Sequence, residues 1–110
     1  MDKLWEANLK RYDELVNKCE RFERKGKTVP TTTANGYMFS QLNKAGELGI
    51  RFSPHVQKQY MEAWNSTHFK SYGAVMKGYV LVPEEMFSDS DQLVRYLNES
   101  YDYVMSLPPK

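Results

Sequence analysis

The sequence predicts an α+β fold in which helices cover one face of an antiparallel β-sheet. Three segments have the apolar spacing of amphipathic helices, and the segments between them alternate as strands do. Two strands are joined by a short turn, so hairpin-connected strands rather than strict β-α-β alternation separate the helices. A chain of 110 residues is long enough for one such domain and short for two. We therefore predict a single domain with the order helix, hairpin, helix, strand, helix.

The first helix is predicted over residues 2–24. Acidic Asp2 and Glu6 at its start and basic residues at its end suit the helix dipole, and Gly26 follows as a stop signal. The apolar residues recur at steps of three and four, as one face of a helix requires: Trp5, Leu9, Tyr12, Leu15, Val16, Cys19 and Phe22.

A β-hairpin is predicted next, with strands over residues 36–42 and 47–52 and a turn between them. In its second strand Leu48, Ile50 and Phe52 share one face, and a shift by one residue would turn Glu47, Gly49 and Arg51 into the core. The register is therefore well specified. Residues 28–34 surround Pro30 and fit either an edge strand or an extended linker, because proline removes a donor from the ladder.

A short second helix is predicted after Ser53-Pro54, where the serine can cap free amides and the proline suits the first helical position. Its apolar stripe is Val56, Tyr60, Ala63 and Trp64. Residues 67–72 are left open as a brief strand. Residues 74–82 predict a strand that is apolar on both faces, which is typical of a central strand covered by helices on one side and partly covered on the other.

The last helix is predicted to start at the capping residues 88–90 and to end before Pro108. Its apolar stripe consists of Leu93, Val94, Leu97, Tyr101, Val104 and Leu107. The carboxylates just before it, Glu84 and Glu85, are interpreted as charges that favour a helix start rather than as a catalytic pair.

The composition narrows the class of protein. A formal net charge of +1 gives no overall attraction to nucleic acid or to an anionic membrane. The single cysteine, Cys19, cannot form an internal disulfide, and a small secreted domain usually carries several. No secretory signal and no apolar run of about 18 residues is present in the sequence. We expect a cytoplasmic protein without contact to a membrane.

No arrangement of residues in the sequence predicts catalysis, a metal site or a cofactor. The imidazole and thiol groups, His55, His68 and Cys19, fall on different predicted elements, whereas a zinc site needs ligands that converge. Cys19 lies near the end of a helix, where the dipole disfavours a thiolate, so a buried structural thiol is expected. Motifs of phosphate loops, dinucleotide sites and nucleophile elbows are absent from the sequence.

Two sets of side chains are candidates for binding. Aromatic residues make up 14% of the chain, with eight tyrosines, which is more than so small a core obviously needs. A surface for a protein partner or for self-association is therefore the leading interpretation. An alternative is direct binding of nucleic acid by a basic patch around the end of the first helix. This alternative is weaker, because acidic residues interleave with the basic ones and partly cancel their charge. This patch consists of Arg21, Arg24, Lys25 and Lys27.

Several motifs together resemble the TfoX/Sxy N-terminal domain family, over essentially the whole chain. They are NGYMFS at 35–40, GELGIR at 46–51, YGAVMKGYVLVP at 72–83, SYDYV at 100–104 and SLPPK at 106–110. Ser40-Gln41 stands where the family pattern has a glycine pair. The resemblance implies a two-layer sandwich with the order α-β(3)-α-β(2)-α, in which residues 28–34 and 67–72 are strands.

The same resemblance implies a role in regulation. The founding members regulate natural competence together with the cyclic-AMP receptor protein and carry a second domain. We expect a non-catalytic, cytosolic interaction domain that binds a protein partner of unknown identity. The alternative is a small-molecule-binding protein or an unrecognised enzyme with a pocket between sheet and helices. For either case the candidate face is Tyr37, Phe39, Tyr72 and Met76.

Overall fold

A computed structural model describes residues 3–110 of the chain. The order of elements is helix, three strands, helix, two strands, helix, which confirms the predicted α+β fold class. A short 3₁₀ helix over Glu84–Ser88 precedes the last helix. The elements are α1 (Lys3–Asn17), β1 (Thr31–Ala34), β2 (Tyr37–Leu42), β3 (Leu48–Arg51), α2 (Pro54–Ala63), β4 (His68–Ser71), β5 (Ala74–Leu81) and α3 (Ser90–Met105).

The five strands form one antiparallel sheet in the order β1-β2-β3-β5-β4. Both segments that the sequence left open are strands, and they form the two edges of the sheet. β1 starts after Pro30, as expected when proline cannot donate to the ladder. The predicted hairpin is confirmed, since Ser40 pairs with Ile50 and Leu42 with Leu48.

The core lies between the sheet and the helices. Leu48, Ile50 and Phe52 are all buried there, on one face of the second strand as predicted. The helices contribute further fully packed side chains to the same cluster, among them Tyr12, Leu15, Val16, Leu93, Leu97 and Val104. Among the described residues, no helix has the length and apolar character needed to cross a membrane.

The first helix is shorter than predicted. It ends at Asn17 instead of Arg24, because Lys18 and Cys19 donate to the carbonyls of Leu15 and Val16 three residues back and tighten the last turn. The chain then runs in irregular form, yet Cys19 and Phe22 are still buried. The predicted helical start at Asp2 lies outside the described residues.

The ends of the other helices follow the sequence signals. The Ser53 hydroxyl accepts a hydrogen bond from the amide of Val56, and the Asp89 carboxylate accepts one from the amide of Gln92. Along α2, Val56, Tyr60 and Trp64 pack against the core, again as predicted. Ala63 is an exception, because it is exposed, whereas Met61 packs against the core.

The second face of the sheet is covered in part by the chain itself. The ring of Phe69 on β4 lies directly on Gly49, so closely that a Cβ at Gly49 would come within 2.3 Å of it. The Asn43 side chain donates to the carbonyl of Lys70 at 2.8 Å, and the Tyr79 hydroxyl donates to the carbonyl of Met38 at 2.8 Å. These contacts fix the β4–β5 hairpin against the other strands of the sheet.

Candidate functional site

The β4–β5 hairpin carries the most exposed aromatic side chain of the described chain. Ser71 pairs with Ala74, so Tyr72 and Gly73 form a two-residue turn. Both have positive φ, +52° and +78°, as a type I′ turn requires. The side chain of Tyr72 is 71% exposed, and Val75 beside it is 54% exposed. Two large apolar side chains are therefore exposed to solvent on the same hairpin.

The backbone at Tyr72 is strained. A bulky residue rarely adopts positive φ, because its Cβ crowds the neighbouring carbonyl, and this costs about 1–2 kcal/mol. Tyr72 is 71% exposed and nothing lies within 4 Å of the position where a Cβ on Gly73 would stand, so little packing at the turn offsets the cost. Strain of this kind that the fold does not explain is typical of binding elements.

The other tyrosines are buried or half-buried, so the aromatic surplus serves mainly the core. Between α2 and α3, the rings of Tyr60 and Trp64 stack with centroids 5.0 Å apart, and Tyr96 packs against both. The Tyr60 hydroxyl donates to Glu99 at 2.6 Å. Burial, together with this hydrogen bond to the negative Glu99, raises the pKa of Tyr60. The count of aromatic residues alone is thus no evidence of a surface.

The candidate face of Tyr37, Phe39, Tyr72 and Met76 is wrong at Phe39. This ring is fully buried against Phe22 and Tyr101, with centroids 5.0 and 6.0 Å away. The register of β1 and β2 shifts at this point, because Thr32 pairs with Ser40 and Thr33 with Met38, which leaves Phe39 as an extra residue. Such a bulge breaks the strict alternation of side chains and turns Phe39 towards the helices.

Tyr37 is also used within the fold. Its hydroxyl donates to the carbonyl of Pro108 at 2.7 Å, and the cationic groups of Arg51 and Lys110 each lie 5.4 Å from its ring centre. Met76 is half-buried. Of the four predicted residues, Tyr72 is the one whose side chain is available to a partner.

The β1–β2 turn is held down by the end of the described chain. The amide side chain of Asn35 donates to the carbonyls of Val104 and Leu107, both at 2.9 Å. The amide of Lys110 donates to the carbonyl of Asn35 at 3.3 Å. Two of the motifs that carry the family resemblance, at 35–40 and 106–110, therefore meet in space and have a structural explanation.

Half of the predicted basic patch is engaged in the fold. Arg21 pairs with Asp102 at 2.8 Å and lies 4.4 Å from the ring centre of Tyr101. Arg24 pairs with Asp13 at 2.6 Å. Lys25 and Lys27 are exposed, and no ion pair within residues 3–110 involves either. Neutralisation of the two arginines leaves a weak field for phosphate groups.

Cys19 is a buried thiol, as predicted. Its Sγ lies 3.7 Å from the carbonyl of Leu15, and burial raises its pKa to about 11, so the thiolate is not formed at neutral pH. His55 and His68 are exposed on separate elements. Within the part of the chain that the structure describes, no three His, Cys, Asp or Glu side chains converge as metal ligands would.

An open groove of about 370 Å³ lies where the end of α2 and the start of β4 face the 3₁₀ helix. Trp64 and Leu81 give it apolar walls, and Glu84 and Glu85 line its rim. Its full lining is Trp64, Asn65, Ser66, Thr67, Leu81, Pro83, Glu84 and Glu85. Local sequence patterns do not predict this groove, because its walls come from residues some twenty positions apart.

The sequence pattern also did not predict that Val75 is exposed on this hairpin. A partial signal was present: Gly73 lies between two apolar segments, where a glycine favours a tight hairpin turn at the surface. No protein-family model matches the chain, and no curated protein matches it.

Proposed function

We propose that this chain is a non-catalytic, cytosolic interaction domain that binds a protein partner through its β4–β5 hairpin. The observation that carries the proposal is Tyr72, an exposed aromatic residue in a backbone conformation that suits glycine or asparagine. Tyrosine is favoured at interfaces because one ring supplies a large contact area at low cost in conformational entropy. Val75 enlarges the same apolar surface.

The resemblance to TfoX/Sxy N-terminal domains supports a regulatory role for this interaction. In that case the domain acts as an accessory of transcription or competence by contacting another protein. Direct binding of nucleic acid has less support, because Arg21 and Arg24 are paired with carboxylates of the fold.

The alternative, a small-molecule site or an unrecognised enzyme between sheet and helices, also has less support. Phe22 and Tyr101 fill the space around Phe39, where that pocket was expected. The groove at Trp64 is open and lies elsewhere in the fold.

Affinity capture tests the proposal directly. The tagged chain is used to capture proteins from extract of the cells that express it, with and without nuclease, beside the double variant Tyr72→Asn/Val75→Thr. Met105→Gln is the matched control, because Met105 is another exposed large apolar residue, on α3. We expect a nuclease-resistant protein that the wild type and the control retain and the hairpin variant loses.

A partner retained equally by all three chains would contradict the hairpin as the binding element. Captured material that is lost after nuclease treatment would contradict binding of a protein partner and favour Lys25 and Lys27 as phosphate contacts.

A further inference from the structure

Charge is divided unequally between the strands and the helical side of the molecule. The strands carry three basic residues, Arg51, Lys70 and Lys77, and no acidic residue. Four exposed acidic residues instead follow β5 within a short stretch of the 3₁₀ helix and the start of α3: Glu84, Glu85, Asp89 and Asp91. The molecule therefore has a basic hairpin and an acidic region.

On the hairpin, the basic and apolar groups lie together. Lys70 and Lys77 are exposed on the two strands that carry Tyr72 and Val75. No ion pair among residues 3–110 involves either lysine.

The groove at Trp64 has the complementary character. Its charged lining residues are Glu84 and Glu85, and its walls include the indole of Trp64 and the side chains of Leu81 and Pro83. Arg11 offsets part of this charge, because it pairs with Glu84 at 3.1 Å. Lys18 also approaches the acidic region, where its Nζ donates to the Ser90 hydroxyl at 2.5 Å. Glu85, Asp89 and Asp91 take part in no ion pair among residues 3–110, so the region keeps negative charge.

Neither Tyr72 nor Val75 lines the groove of its own molecule. The complementary surfaces can then meet between two molecules. A symmetric contact between two hairpins would bring four lysines together, which like-charge repulsion opposes. A contact of one hairpin with the groove of a neighbour places lysines beside glutamates and the Tyr72 ring beside Trp64.

We propose that a second copy of this chain binds the β4–β5 hairpin, which docks head to tail in the Trp64 groove of its neighbour. This inference rests on the proposed function, because it assigns a partner to the same hairpin. A head-to-tail contact uses two different surfaces, so each molecule keeps one of them free and association continues into rings or longer oligomers.

Sedimentation velocity of the untagged chain tests this from about 10 μM to about 1 mM, the range of weak interfaces, at low and at high salt. We expect oligomers that grow with concentration and dissociate in high salt. Two charge-reversal variants, Lys70→Glu/Lys77→Glu and Glu84→Lys/Glu85→Lys, should each raise the apparent Kd by about tenfold or more. Lys25→Glu/Lys27→Glu makes the same charge change beside β1, at the opposite edge of the sheet from β4, and should leave association unchanged.

Mixing the two charge-reversal variants gives the decisive result. Each surface of one variant then meets an opposite charge on the other, so association returns in the mixture although both variants are monomeric alone. Thermal unfolding of each variant confirms that it is folded.

Two outcomes would overturn the inference: a chain that stays monomeric at about 1 mM in low salt, and oligomers that survive both reversals. Either result leaves the proposed function standing if capture of another protein still depends on Tyr72. If the chain still self-associates but capture of another protein does not depend on Tyr72, the proposed function is overturned for partners other than a second copy of the chain.

Discussion

The β1–β2 turn and the β4–β5 turn share a backbone conformation and differ in almost everything around it. Asn35 and Gly36 have φ of +56° and +83°, and Tyr72 and Gly73 have φ of +52° and +78°. At the first turn, a Cβ on Gly36 would stand 2.8 Å from a carbon of Lys110, whereas at Gly73 nothing lies within 4 Å. The β1–β2 turn is therefore packed, and the β4–β5 turn is bare.

The difference separates structural from functional reasons for a residue. Asparagine tolerates positive φ, and its side chain at position 35 bonds two carbonyls near the end of α3, so the fold explains Asn35 completely. Tyrosine does not suit positive φ, and at 71% exposure Tyr72 has little packing to offset the strain. The proposed binding role would give Tyr72 a reason outside the fold.

The largest effect on stability is expected at Gly49, on which the Phe69 ring of the β4–β5 hairpin packs. Gly49→Ala would drive a methyl group into the ring of Phe69, whose atoms lie 2.3 to 2.6 Å from that position, within a sheet that cannot easily move. We expect a loss of about 3 kcal/mol in the free energy of unfolding, measured by urea denaturation. A cost near zero would mean that β4 is not seated on Gly49.

Alanine at the two turn glycines sharpens the comparison. Gly36→Ala adds strain at positive φ and displaces Lys110, and should cost about 2–3 kcal/mol, whereas Gly73→Ala adds the strain alone and should cost about 1 kcal/mol. Urea denaturation of both variants gives the two values side by side. Equal costs would show that the end of the chain does not hold the first turn.

A further variant probes the side chain of the packed turn. Asn35→Ala removes two hydrogen bonds to Val104 and Leu107 and a residue suited to positive φ, and should cost about 2 kcal/mol. Tyr72→Ala at the matching position of the bare turn should change stability by less than about 0.5 kcal/mol, since Tyr72 is 71% exposed. Thermal unfolding of the pair measures both. A destabilised Tyr72→Ala would reveal a structural role for the ring.

Local signals made much of this fold predictable from the sequence. Ser53-Pro54 and Asp89 mark helix starts by side-chain chemistry, and the alternation at Leu48, Ile50 and Phe52 fixes the register of a strand. Apolar spacing could not place the end of α1, because Cys19 and Phe22 remain buried after the helix has stopped.

The candidate site was less predictable, because it depends on contacts between distant residues. The bulge that turns Phe39 into the core arises from the pairing of β1 with β2, which no local pattern of Phe39 reveals. The seat of Phe69 on Gly49 joins residues twenty positions apart. Which aromatic side chains stay exposed depends on tertiary packing, so the sequence could name Tyr72 among several aromatic candidates and could not single it out.

The most direct test of the central claim is the single variant Tyr72→Asn, measured for both stability and partner capture. Asparagine suits the turn, so we expect the free energy of unfolding to rise by about 0.5–1 kcal/mol while capture of the partner falls, the trade expected of a strained binding residue. A variant that loses stability, or one that captures the partner as well as the wild type does, would contradict the account.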